Sequence, residues 1–324
     1  MWNVIAFTLL CLVSATSSYA QNRHVVEYPT RAVRLLVPFS AGGSADNYAR
    51  VVAQKLSEHW AQQVVVDNRP GSNGIVGSEV FVKATADGYT LMLGNIGNIA
   101  VNPSMYNKLP YDPIKDFAPI TLINTSPFVM LSPLSLPAQD FKEFVSLAKS
   151  RPGHFNYAST GDGSPGHLAA ALLASMSGIK ITHIPYRNHG TLMSDIVSGQ
   201  THILFNGIAS AQQQLKVKRL QALAISSPKR STVLPNVPTV AESGIAGYEF
   251  LGWYALFSPS GTPTKILHQL NVDINKVLSS QDVRERFSTD GAEVAGGSRE
   301  SLGKFVLAEI QKWEPIVKGA VSKH

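Results

Sequence analysis

The chain has 324 residues, 44% of them hydrophobic and 15% charged, with a net charge of +6. That is enough apolar material for two domains of average size, and the basic balance suits anionic solutes. The basic residues are scattered, without the Lys/Arg runs and interleaved aromatics that track a phosphate backbone, so nucleic-acid binding is set aside.

The N-terminal apolar run from Val4 to Val13 is followed by small and polar residues ending Ser18, Tyr19, Ala20. This is the layout of a secretory signal over residues 1–20, cleaved after Ala20. No later segment approaches roughly 18 consecutive apolar residues, so an exported, soluble protein is expected. The single cysteine, Cys11, lies inside this run behind Leu10, a poor setting for lipoprotein acylation. The mature chain then holds no disulfide, no cysteine zinc site and no thiol nucleophile.

The run "VRLLVPF" (33–39) has the apolar density of a buried parallel strand, and "SAGGSAD" turns it into a helix starting near Asp46. Tyr48, Val52, Leu56 and Trp60 recur four apart on one face of that helix. A strand "QVVVDN", a turn at Arg69-Pro70-Gly71, a helix over 74–84 and a strand "YTLMLGN" continue the alternation. A proline-rich connection, "YNKLPYDPIKDFAP", leads to the apolar run "ITLINTSPFVMLS" and the amphipathic helix "FKEFVSLAKS".

The earlier pattern then repeats as strand "FNYAST", turn "GDGSPG" and helix "HLAAALLASM". Strand "KITHIPY", a helix over 190–199, strand "THILFN", a helix near Ala211 and strand "LQALAIS" follow, and Pro228, Pro235 and Pro238 mark a second irregular connection. The last segment, Arg299 to Ala320, is helical, with Pro315 expected to kink it. Two α/β units joined by irregular connections near 103–126 and 224–240 imply a clamshell closing on a ligand. Domain 1 is expected at 21–122 with 225–324, and domain 2 at 123–224.

Both glycine turns run from a strand into a helix, where unpaired N–H groups and the helix dipole favour an anion. In the first, Ser40 and Ser44 add hydroxyls and Asp46 is a candidate helix cap. In the second, Ser159 and Thr160 end the strand, Pro165 suits a first helical turn and His167 sits at the helix start. Gly161, Gly163 and Gly166 also spell the dinucleotide motif G-x-G-x-x-G. The next strand ends "IPYRNHG" without the acidic residue that would hold a ribose, and Arg187 keeps only an NADP version of that idea open. A secreted α/β hydrolase using Ser44 is the other enzymatic alternative, although Asp46 stands where a nucleophile elbow wants glycine.

Taken together, "YPTRAVRLLVPFSAGGSAD", "VVVDNRPGSNGIVGSEVFVKATADGYTLMLGN", "YASTGDGSPGHLAA", "IPYR" and "LPNVPTVAESGIAGYEFLGWYALFSPSGTP" resemble the Bug family. Those proteins are extracytoplasmic solute receptors of tripartite tricarboxylate transporters. The resemblance covers nearly the whole mature chain. It implies an α/β periplasmic-binding-protein clamshell, each lobe a mainly parallel sheet flanked by helices, joined by two crossing strands. It also implies a monomeric periplasmic receptor without cofactor or metal, not an enzyme, that hands a small organic acid to a two-component membrane permease or serves as a sensor for a signalling partner.

Carried over by position, the ligand-binding set is Phe39, Ser40, Ala41, Gly42, Gly43 and Ser44 from the first turn, and Ser159, Thr160, Gly163 and His167 from the second. Asn95 in the loop "GNIGN", Tyr186 and Asn206 are further candidates. Because Asn206 is neutral where an acidic partner for an ammonium would be sought, the expected ligand is a mono- or dicarboxylate without an amino group.

Overall fold

The computed structural model describes residues 28–320. Cys11 and the expected signal with its Ala20 cleavage point lie outside the described residues. The first half of the chain builds β1 (Val33–Val37), α1 (Ser44–Trp60), β2 (Val64–Asn68), a 3-10 turn Ser72–Gly74, α2 (Ile75–Val82) and β3 (Thr90–Asn95). A π-helical turn, Ile96–Val101, runs into the short α3 (Asn102–Met105), and β4 (Phe117–Pro133) follows. Then come α4 (Phe141–Ser150), β5 (Asn156–Ser159), α5 (Pro165–Ser177), β6 (Thr182–Pro185), α6 (His189–Ser198), β7 (Ile203–Gly207), α7 (Ile208–Lys216) and β8 (Leu220–Ile225). The chain ends with β9 (Leu251–Pro259), α8 (Thr264–Leu278), α9 (Gln281–Thr289), β10 (Glu293–Gly296) and α10 (Arg299–Ala320).

The strands form one mixed sheet in the order β2-β1-β3-β9-β4-β7-β5-β6, with β10 and β8 also paired to β4. Strands β2, β1 and β3 are parallel at one end, as are β7, β5 and β6 at the other. Between them run the crossing strands β4 and β9, antiparallel to each other from Phe117↔Pro259 to Pro127↔Leu251. Strand β4 serves both halves, because its first part pairs β9 and β10 while Phe128–Leu131 pairs β7. The result is an α/β clamshell.

Local chemistry explains the elements that position the cleft. Val33, Leu35, Leu36 and Val37 are buried, as a strand covered by helices on both faces requires. Helix α1 buries Tyr48, Val52 and Leu56 and ends at Ala61 in the left-handed region (φ 51°). Helix α5 opens with Pro165 in its first turn, where no N–H is needed, and stops at Gly178 (φ 73°). Its Leu168, Ala169 and Leu173 pack into one core, whereas Leu192 and Ile196 of α6 pack into another. Helices therefore cover both faces of the second half.

Three details differ from the sequence reading. The return crossing is made by β9 and not by the connection near 224–240; residues 226–250 are fastened to the second half through Val240 N–H to Ile225 O (2.9 Å) and Tyr248 Oη to Ala169 O (2.9 Å). "GNIGN" is not an open loop, because Asn95 and Asn98 cap each other's backbone and wind it into the π-helical turn. Asp46 does not cap α1: Gly43 occupies that position, and Asp46 lies one turn in and reaches back to Gly42 N–H at 3.0 Å. Helix α10 spans Arg299–Ala320, as its sequence predicts, with Pro315 inside it. Among the described residues, no helix is long and apolar enough to cross a membrane.

Candidate functional site

A cavity of about 760 Å³ opens at the carboxyl ends of the parallel strands of both halves. This is where open α/β sheets place ligands, and the volume lies within the range of small-molecule sites. Its wall includes Phe39, Ser40, Gly43, Ser44 and Ala45 after β1 and Ser159 to Asp162 with Ser164 to Gly166 after β5. Tyr186 and Arg187 after β6, His189 of α6 and Asn206 of β7 complete the second-half side. A third glycine turn, Pro70 to Gly74, also reaches the wall. Sequence reasoning treats it only as a turn; parallel pairing of β2 with β1 brings its tip beside the first turn.

The first turn leaves its donors directed outward. Ser44, Ala45 and Asp46 open α1, so their N–H groups have no carbonyl four residues back. Gly42 turns at φ 80° and gives its own N–H to the buried carboxylate of Asp46. Burial raises Asp46, but Arg50 and the Gly42 N–H outweigh it and hold the carboxyl below its ordinary 3.8. Ala41 and Gly42 are exposed and lie outside the lining, and the Gly42 N–H bond to Asp46 fixes the shape of the turn.

The second turn is committed to a different network. His183 Nδ1 faces Asp162 Oδ1 at 3.1 Å, so its proton sits there, and Nε2 accepts the Ser159 hydroxyl at 2.6 Å. Gly161 N–H donates to Ser159 Oγ at 3.1 Å, and Gly163 N–H donates to His167 Nδ1 at 2.9 Å. The His167 and His183 rings stack 4.1 Å apart at 12°. Burial, reinforced by His183, pushes His167 down to about 4, and burial lowers His183 against the pull of Asp162. Both rings are neutral at pH 7.

Gly163 and His167 are consequently absent from the lining. A Cβ on Gly163 would lie 2.8 Å from Asn73 Nδ2 and 2.9 Å from Met105 Sδ, both in the first half, so this glycine seats one half against the other. The halves also meet where Ser44 Oγ lies 3.3 Å from Ser210 Oγ. Nine of the thirteen expected residues line the cavity: Phe39, Ser40, Gly43, Ser44, Asn95, Ser159, Thr160, Tyr186 and Asn206. Two of these have turned their polar ends away. Tyr186 Oη donates to Asp195 at 2.7 Å, and Asn95 Oδ1 accepts from Gly97 N–H at 2.8 Å.

The opposite case is Ser164, which the sequence reading passes over. It caps α5 by backbone conformation, is 2% exposed, and its Oγ has no partner among the described residues although it lines the cavity. A hydroxyl at a helix start can donate to an anion held there.

The enzymatic alternatives gain little. Ser44 faces Ser210 and no histidine, so it lacks the base a nucleophile needs. Ser159, His183 and Asp162 have the bonding order of a triad, yet Ser159 is 1% exposed and its oxygen is already held by Gly161 N–H. Gly163, whose amide would face a pyrophosphate, is filled by His167 and Asn73. Asp162, His167 and His183 bring ligand atoms within 4.8 Å of one another. However, Gly163 N–H occupies the Nδ1 lone pair of His167, and Asp162 and Ser159 engage the two ring nitrogens of His183, so these atoms are already committed within the protein.

A family model described as tripartite tricarboxylate transporter family receptor matches residues 48–321. The UPF0065 protein in the tcbD-tcbE intergenic region of Pseudomonas sp. (strain P51) is 36% identical over 306 residues, 94% of this chain and 91% of its own. Protein BugT of Bordetella pertussis is 34% identical over 310 residues, 95% of each chain. Among solved structures, R. palustris Rpa4515 with adipate shares 36% identity at a TM-score of 0.87, covering 90% of this chain and 98% of that one. MatC (Rpa3494) from Rhodopseudomonas palustris with bound malate shares 31% at 0.83, covering 90% and 100%. The chain belongs to the tripartite tricarboxylate transporter receptor family, which includes the Bug proteins.

Proposed function

We propose that the protein is a periplasmic receptor that closes on a small organic acid and presents it to a tripartite tricarboxylate-type permease. The observation that carries this reading is the convergence of two helix starts, α1 at Ser44 and α5 at Ser164, on one cavity with an unpartnered buried hydroxyl between halves already in contact. Such donors hold a carboxylate and perform no covalent step. The structures of two relatives, one with adipate and one with bound malate, support the same chemistry. The lobes are 28–122 with the chain from 251 onward, and 123–250, because the bonds of residues 226–250 favour the second lobe.

Binding drives the open-to-closed shift through contacts made only in the closed state. The ligand carries no amino group, since the acidic side chain on the wall, Asp162, is engaged by His183. Native mass spectrometry of freshly purified protein, followed by calorimetry with carboxylates, tests the reading. Recovery of an unchanged acid and tight binding are expected. A ligand returned chemically altered would identify an enzyme, and tight aspartate or glutamate with no response to unsubstituted acids would overturn the amino-group exclusion.

A further inference from the structure

His167 lies outside the cavity lining, yet its imidazole ties the second turn to the opposite half. Nδ1 accepts the Gly163 N–H at 2.9 Å, so the proton of the neutral ring sits on Nε2. Gly163 is held there at φ 70°, and first-half atoms fill the space above its Cα: a Cβ would meet Asn73 Nδ2 at 2.8 Å, Met105 Sδ at 2.9 Å and a Val101 methyl at 3.2 Å. On the facing side Asn73 is fixed by its Nδ2 bond to Asn102 Oδ1 at 2.9 Å. The seat between the halves therefore depends on one imidazole lone pair.

That lone pair is also where a second proton must enter. Nδ1–H and Gly163 N–H would then face each other as two donors with no acceptor between them. An acceptor for the charged ring stands close by, because Asp162 Oδ1 is 4.0 Å from His167 Nδ1 and already faces His183 Nδ1 at 3.1 Å. The titratable groups around the ring are His183 of β6, stacked at 4.1 Å, Tyr157 of β5, with its ring centroid at 6.0 Å, and Asp162 of the turn. From the first half, Tyr106 after α3 lies near enough to Asp162 to be raised by its charge. Closure packs the first half onto Gly163, so binding of an acid and protonation of His167 oppose each other.

We propose that His167 is a positioning residue for closure: its neutral imidazole shapes the Gly163 seat on which the halves meet, and a proton at Nδ1 turns the ring toward Asp162, loosens the seat and releases the bound acid. This rests on the carboxylate-receptor reading of the helix starts.

The test is calorimetry of adipate and malate between about pH 7.5 and 4.5, on the native protein and on His167→Asn, which keeps an acceptor for Gly163 and does not titrate. The acid's own titration is common to both proteins and cancels in the ratio of their affinities. That ratio should be flat above about pH 6.5, and by about pH 4.5 the native protein should have weakened about five- to twentyfold more than the variant. Thermal melts at each pH confine the comparison to folded protein. Gly163→Ala, whose Cβ meets Asn73 and Met105 at any pH, should weaken binding throughout the range. Small-angle scattering of the ligand-free native protein gives a second readout, with a larger radius of gyration expected at the acid end and none of that expansion in His167→Asn. Parallel affinity profiles, or equal expansion of both proteins, overturn the inference and leave the carboxylate receptor standing. Failure of every carboxylate to bind at about pH 7.5 overturns the receptor reading and this inference with it.

Discussion

The two glycine turns read alike in the sequence and work differently in the fold. The first, at 40–46, opens α1 with three N–H groups that lack helical partners, and places the Asp46 carboxylate behind them as an internal brace. The second, at 159–167, opens α5 with Pro165, which has no N–H, and commits Gly161 and Gly163 to Ser159 and His167. At the first turn Gly43 keeps the cavity wall open, and at the second Gly163 and Gly166 let the protein pack on itself. The largest expected difference follows. A Cβ on Gly166 would lie 2.6 Å from the Phe205 carbonyl oxygen, whereas one on Gly43 meets only Ser40 O at 3.6 Å. Gly166→Ala should cost about 3 kcal/mol of stability and Gly43→Ala less than about 0.5 kcal/mol. Urea unfolding of the two variants checks this, and equal costs would erase the distinction.

Acid should separate the turns as well. Burial and the neighbouring His183 push His167 down to about 4, while the unfolded chain takes up that proton near 6.5. Stability from this group is therefore complete above about 6.5 and falls as the pH drops toward 4, with a slope of about 1.4 kcal/mol per pH unit at most. His167→Asn keeps an acceptor for Gly163 N–H and should flatten the decline by about one proton. Asp46 works in a lower window, since a carboxyl held below 3.8 contributes stability that is lost only as the pH falls further. Asp46→Asn should leave the curve between pH 5 and 6.5 unchanged in slope. Denaturation midpoints across that range read both effects.

Much of this architecture is legible in the sequence because it depends on local periodicity. The α4 span Phe141–Ser150 and the α10 span Arg299–Ala320 coincide with their apolar spacing, and β1 with its apolar run. Residues 251–298 receive no elements in that reading, although Leu267, Leu270, Ile274 and Val277 of α8 carry a helical repeat. Strand β9 gives no alternation to find, since eight of its nine residues are buried as it runs between β3 and β4. The site divides in the same way. Gly43 and Ser44 follow from a strand-to-helix turn, but the Asp162–His183–Ser159 network depends on the register Tyr157↔His183, which only sheet pairing fixes. The brace by Asp46, the seat at Gly163 and the hydroxyl of Ser164 are three-dimensional facts of the same kind.

A binding measurement sharpens the contrast at the first turn. Gly43 has φ −84° and ψ 173°, a conformation open to any residue, so Gly43→Val should fold normally. Its branched side chain would nevertheless stand on the cavity wall and keep a ligand oxygen from the N–H groups of α1. Affinity should fall at least about tenfold, near 1.4 kcal/mol, with an unchanged melting temperature in the ligand-free protein. Unchanged affinity in calorimetry would remove the first turn from the site.

The smallest expected effect falls on Ser164, where the second turn reaches the cavity wall. Ser164 caps α5 only through its backbone; its hydroxyl makes no bond to the helix and none to another described residue. A side chain that capped the helix would cost about 1 kcal/mol of stability on replacement by Ala. Here Ser164→Ala should cost almost nothing in unfolding, because an unsatisfied buried hydroxyl is itself unfavourable and its removal relieves that. With ligand bound, the same variant should lose a single hydrogen bond, about three- to tenfold in affinity. Loss of stability without loss of affinity would make Ser164 a helix cap, and would leave the second turn without a side-chain donor from Ser164 in the site.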